Sequence, residues 1–146
     1  MERTWDGLPV AAEPPHGAAV IVFARTGEGI RFLLLHRGHM GLEYEGEWAW
    51  GPPAGARLPG EAVEVCAARE LCEETGLELE LQIMPHGRAD WFVYSAEIPG
   101  PCPIRLSEEH DRYMWADVAL VRRLVLPARV RQDILAVQAG LGSTTN

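Results

Sequence analysis

The chain has 146 residues, enough for one core, and carries a formal net charge of −8. That acidic balance argues against sequence-independent nucleic-acid binding, which needs clustered cations. It does not exclude a small anionic substrate held with a metal ion, and because the sequence holds no lysine, any cationic grip on phosphate falls to Arg, whose planar fork suits it.

Residues 1–16 read as an irregular lead-in with Pro9, Pro14 and Pro15. Ala18–Ala24 is an apolar run suited to a buried strand, Thr26–Gly29 a turn, and Arg31–Arg37 a second strand, so the pair reads as a hairpin. Gly38–Glu47 is a polar loop. Trp48–Trp50 leads into Gly51-Pro52-Pro53-Ala54-Gly55, too rich in Pro and Gly for a regular interior element. Ala62–Thr75 has neither residue and stops at Gly76, which predicts a helix with a glycine cap. Leu77–Met84 alternates weakly as a strand, and Trp91–Ile98 does so more strongly. Pro99–Pro103 is a connector, Tyr113–Val118 a further strand, and Pro127 opens a helix to about Ala139 with Val130, Ile134 and Val137 at core spacing. Residues 140–146 form a frayed tail. Strands mixed with two helices indicate an α/β sandwich with a mixed sheet, a single domain over 1–146. The odd set Cys66, Cys72 and Cys102 has no zinc spacing and suits inert thiols in a reducing cytosol. Absence of a secretory pattern or a membrane-length apolar run leads to the expectation of a cytoplasmic, soluble protein with no membrane partner.

The predicted helix carries charge where it should not. Val63, Ala67, Glu70 and Glu74 fall on one line, a stripe that starts apolar and ends in carboxylates, with Glu73 alongside. Like charges at these spacings repel, and they sit at the negative end of the helix dipole. Arg69, four residues before Glu73, is expected to neutralise only that acid. Hard divalent cations such as Mg²⁺ are the natural compensation. Taken alone, the pattern favours a solvated acidic face.

The flanking residues decide between these. Gly55, Glu61, Arg69, Glu70, Leu71, Glu73, Glu74, Gly76 and Leu77 stand at the spacing of the Nudix box, and the segment Gly55–Leu77 resembles that box in full. The resemblance implies the Nudix fold, a mixed sheet between helices with a loop–helix–loop site for Mg²⁺ or Mn²⁺. It implies that Glu70, Glu73 and Glu74 hold metal while Glu61 and Arg69 brace the loop. It also implies hydrolysis of a nucleoside diphosphate joined to another group, a small-molecule nucleotide substrate.

The approach Trp50–Gly55 and the stretch Ile104–His110 with Tyr113 and Trp115 are similar to asymmetrical diadenosine tetraphosphate hydrolases. Ala54, Ala56 and Leu58 depart from that branch, which usually has Lys, His and an acid there. By the resemblance, Glu109 is a further metal ligand or the catalytic base, with Glu108 as the fallback. Arg37, Trp50, Gly55, Arg57, Tyr94 and Tyr113 are candidate substrate contacts, with Trp48 and Trp91 as further stacking candidates. His36, His39, His86 and His110 show no metal-ligand spacing among themselves. Pyrophosphate removal from a nucleoside triphosphate and a non-catalytic nucleotide-binding module stay open as alternatives.

Overall fold

A computed structural model describes residue 7 and residues 9–38, 41–83 and 89–142. The expectations for His39, Met84, His86 and the end of the tail fall outside these residues.

Strands β1 (Gly17–Thr26) and β2 (Gly29–Arg37) form the expected hairpin, with Phe23 opposite Phe32 and Thr26 opposite Gly29. The turn closes because Gly29 takes φ +113°, a backbone that other residues resist, and the Thr26 hydroxyl donates to its carbonyl at 2.6 Å. Along β1, Ala18, Val20, Val22 and Ala24 enter one core cluster while Ile21 and Phe23 enter another. Burial on both faces is why this strand reads as an unbroken apolar run.

The two strands then part. At the far end of the hairpin, Gly17–Ala19 pair with β4 (Ala54–Ala56), and Leu35 and His36 pair with β3 (Trp50–Gly51). The Pro- and Gly-rich segment therefore does carry regular pairing, in two pieces short enough to skip both prolines. β6 (Trp91–Ile98) runs parallel to β1, β7 (His110–Ala116) antiparallel to β2, and β5 (Gln82–Ile83) edges β6. The sheet is thus mixed. Helix α1 (Val63–Thr75) packs Cys66, Ala67 and Leu71 on one face of it. Helices α2 (Val118–Leu124) and α3 (Ala128–Gly142) cover the other through Val121, Ile134 and Val137. This is the α/β sandwich that the sequence predicts.

Four further differences follow, three of them with local causes. The seven-residue α2 is too short to show a helical period, yet Asp117 caps it by accepting from the Leu120 amide at 2.9 Å. It claims Val118, so the strand expected at Tyr113–Val118 slides to His110–Ala116, starting on polar residues that resemble a loop. Leu77, Leu79 and Leu81 pack against the α1-side core from an irregular segment, so among the described residues only Gln82–Ile83 of the expected strand pairs. Helix α3 continues through Gly140 to Gly142, beyond the expected start of fraying. Among the described residues, no helix is long and apolar enough to cross a membrane.

Candidate active site

Helix α1 ends as its sequence requires, at Gly76 with φ +77°. It presents its acids to the loop that precedes it. Arg69 ties the two together: Nε donates to Glu61 Oε2 at 2.7 Å, Nη2 to Glu61 Oε1 at 2.9 Å and to the Ala56 carbonyl at 3.1 Å. Its Nη1 donates to Glu70 at 2.7 Å and reaches Glu73 only at 3.4 Å. Arg69 thus serves three acids, not Glu73 alone, because the fork is aimed back at the loop. Its hydrogen bonds hold the Glu61 carboxyl below the usual carboxylate range. Glu61 also accepts from the Leu58 amide at 3.0 Å, closing the loop on itself.

Gly55 lies flat against Glu70, where any Cβ would collide with the carboxyl group. Glycine is required there for close approach, not for an unusual φ. Burial pushes the Glu70 carboxyl above its ordinary range, against the pull of Arg69. Glu73 points out and is 56% exposed.

Glu74 goes the other way. Its residue is 3% exposed, Oε1 accepts from the Ala54 amide at 3.1 Å, and Oε2 is buried with no hydrogen-bond partner. Burial, then the charges of Glu109 and Glu70, push its carboxyl well up. The structure brings Glu109 to it from the turn before β7: one ligand atom each of Glu74, Glu109 and His110 lie within 4.8 Å of one another. A divalent cation fits this donor set. It would satisfy the orphaned oxygen and offset acids that the dipole and each other disfavour.

Glu109 and His110 of this group line a cleft of about 180 Å³, with Glu74 behind them. The cleft opens where β1 and β2 part, and Ala19 and Leu35 line it from either strand. Trp48, Trp50 and Trp91 supply aromatic surface, and Arg37 and Arg129 the cationic groups. The two guanidinium carbons stand 5.7 and 5.2 Å from the Trp48 ring centre, which gives the indole a cation on each count. Such a mostly apolar recess with a few convergent polar groups is typical of a small-molecule site.

The candidate contacts divide sharply. Arg37, Trp48, Trp50 and Trp91 meet in the cleft. Arg57 does not: its three nitrogens donate to the carbonyls of Pro15, Glu61 and Glu13 at 2.7, 2.7 and 2.8 Å, so it fastens the lead-in to the loop. Tyr94 is 6% exposed and packs in the α1-side core, and Tyr113 packs against the same cluster. Neither tyrosine lines the cleft. His36, buried in the sheet, bonds the Asp111 carboxylate at 2.8 Å and the Tyr44 carbonyl at 2.7 Å.

Arg129 and His110 were not singled out by the sequence. Arg129 sits in the first turn of α3 and comes to the cleft only through the fold. His110 was compared with other histidines, whereas its neighbours are carboxylates. Its adjacency to Glu109 was the available signal.

Comparison with known proteins agrees with this fold. The NUDIX domain family matches residues 14–136. The Ap4A hydrolase of C. elegans, solved as a binary complex, superposes with a TM-score of 0.71 at 23% identity, over 87% of this chain and 98% of that one. A NUDIX hydrolase from Listeria monocytogenes also gives a TM-score of 0.71, at 18% identity over 88% of this chain and 95% of the other. A protein of Myxococcus xanthus named octanoyltransferase is 29% identical over 127 residues, 78% of this chain but 34% of its own length. The chain thus spans about a third of that relative, and the transferase name describes the longer protein. With the box intact and the match running from residue 14 to residue 136, the chain belongs to the NUDIX domain family.

Proposed function

We propose that this hydrolase cleaves a phosphoanhydride bond in a nucleoside diphosphate linked to another group, with a dinucleoside polyphosphate such as diadenosine tetraphosphate favoured and Mg²⁺ or Mn²⁺ as the cation. The reading takes the chain as one catalytic domain, and the three free cysteines suit a cytoplasmic setting. The observation that carries it is the buried Glu74 carboxylate, with one oxygen unsatisfied, grouped with Glu109, which itself lines the aromatic cleft.

Glu70, Glu73, Glu74 and Glu109 are the proposed cation ligands. When bound there, a divalent cation screens phosphate charge and lowers the pKa of water. The chain's own groups do the rest. Glu109, at the cleft wall, takes the proton from the attacking water. Arg37 and Arg129 neutralise phosphate oxygens as charge moves toward the leaving group. The Trp48, Trp50 and Trp91 surface holds one base by stacking. Glu61, Arg69 and Gly55 keep the loop seated so that the acids stay in place. Tyr94, Tyr113 and Arg57 drop out as substrate contacts on this reading, since their groups are engaged elsewhere.

Release of pyrophosphate from a nucleoside triphosphate is the second reading. It is favoured by the cleft volume, about 180 Å³, below the usual range for a drug-sized ligand and suited to one base. Alanine at positions 54 and 56 also leaves the loop without long polar side chains for a second nucleotide. Product identity separates the two. Diadenosine tetraphosphate turned over to ATP and AMP supports the first; a monophosphate and pyrophosphate from a triphosphate, with the dinucleotide untouched, overturns it.

A further inference from the structure

The start of β7 gathers donors of two chemical kinds. One ligand atom each of Glu74, Glu109 and His110 come within 4.8 Å of one another, and His110 Nε2 lies 3.7 Å from Glu109 Oε2. That separation exceeds hydrogen-bond length. It is the spacing of two donors on one small ion, each about 2.1 Å from it and so roughly 3–4 Å apart. Glu74 Oε2 adds an independent observation, as a buried carboxylate oxygen to which no hydrogen-bond donor is turned.

A fault in the sheet explains why neighbouring residues reach the same place. Arg37 opposes His110 while His36 opposes Arg112, so Asp111 is the extra residue of a bulge. Bulges re-aim side chains and occur beside active sites. Here Asp111 turns to His36 Nδ1 at 2.8 Å, while Glu109 and His110 both line the cleft. The bulge is held from both sides, since the Gly38 amide donates to the Glu109 carbonyl at 2.9 Å.

Resting on the cation-dependent reading above, we propose that His110 is a nitrogen ligand in this site and biases it toward transition-metal divalent ions, Mn²⁺, Co²⁺ or Zn²⁺, over Mg²⁺. Imidazole suits such ions, whereas Mg²⁺ takes oxygen ligands and keeps its water. A purely carboxylate site has no such bias built into its ligands. The imidazole is also well buried, so its ring has little freedom to turn away from the carboxylates.

The test is pulsed electron paramagnetic resonance of Mn²⁺ added to tag-free, EDTA-stripped protein without nucleotide, paired with calorimetric titrations of Mn²⁺ and Mg²⁺. Wild type is expected to show ¹⁴N coupling of an imidazole to Mn²⁺. His110→Gln is expected to lose that coupling and to bind Mn²⁺ about 10-fold more weakly, with Mg²⁺ affinity little changed. Because the sequence holds four other histidines, the coupling is assigned to His110 by its loss in the variant; if His110→Gln folds poorly, His110→Asn takes its place. Mn²⁺ bound without ¹⁴N coupling overturns the assignment of His110 and leaves the hydrolytic reading standing. No uptake of Mn²⁺ by wild type, with or without nucleotide, overturns both.

Discussion

Two regions meet at the site, and they are built on opposite terms. The loop–helix unit from Gly55 to Leu77 is dense in charge, and its polar atoms are tied to one another: Glu61 to Arg69 and the Leu58 amide, Glu70 to Arg69, Glu74 to the Ala54 amide. The cleft beside it is mostly apolar, with three indoles and a few charged groups drawn from β2, the turn before β7 and α3. One region concentrates anions and cannot relieve them by itself. The other offers shape and stacking and little chemistry. On the proposed reading the difference separates their tasks: bond breaking would belong to the helix and the Glu109 turn, selection of the substrate to the indoles and arginines.

That division makes graded predictions. Glu109→Gln strikes the chemical region and is expected to cut kcat by roughly 10²–10⁴-fold with KM little altered, the loss typical of a missing general base. A loss of only a few fold in steady-state assays removes Glu109 as the base. Trp48→Ala strikes the selective region. It is expected to raise KM roughly tenfold while kcat stays within about twofold, in line with the worth of one base–aromatic stack. If kcat falls instead, the indole supports the chemistry and the division is wrong.

The smallest effect is on stability. Burial raises the Glu70 and Glu74 carboxyls in the folded state, so folding favours their protonated forms. Their contribution is fullest below the ordinary carboxylate range and is lost as pH rises through the folded values. In EDTA, the melting temperature of wild type relative to Glu74→Gln is expected to fall by a few degrees between about pH 5 and about pH 8. Mg²⁺ or Mn²⁺ added at the upper pH is expected to restore most of it to wild type alone. Glu61, held low by Arg69, works in the opposite direction and only in more acidic solution. A pH-independent difference between the two proteins contradicts the burial of Glu74 as a strained anion.

The same two regions differ in what the sequence discloses. The loop–helix unit is contiguous, so its glycine cap, its stripe from Val63 to Glu74 and the spacing of its acids are all local facts. Even there, the reach of Arg69 back to Glu61 needed the loop's path. The cleft is not contiguous. Arg129 sits far along the chain from Trp48, and only the packing of α3 under the parted strands brings them together. Tyr94 is a candidate contact by its spacing from Leu77 and Tyr113 by its aromatic ring, but strand alternation sends both toward the α1-side core. Helix α2 escaped notice because seven residues hold too few turns for a period. The β7 bulge, which seats Glu109 and His110 together, leaves no mark in composition.

The proposed chemistry requires a divalent cation to share space with the buried carboxylate of Glu74. Calorimetric titration of Mn²⁺ into metal-stripped wild type and Glu74→Gln, each with and without a non-hydrolysable nucleotide, tests this most directly. Wild type should bind Mn²⁺ stoichiometrically, and Glu74→Gln, still folded, should bind at least tenfold more weakly. Equal binding by the two proteins, or none by either, would contradict the account.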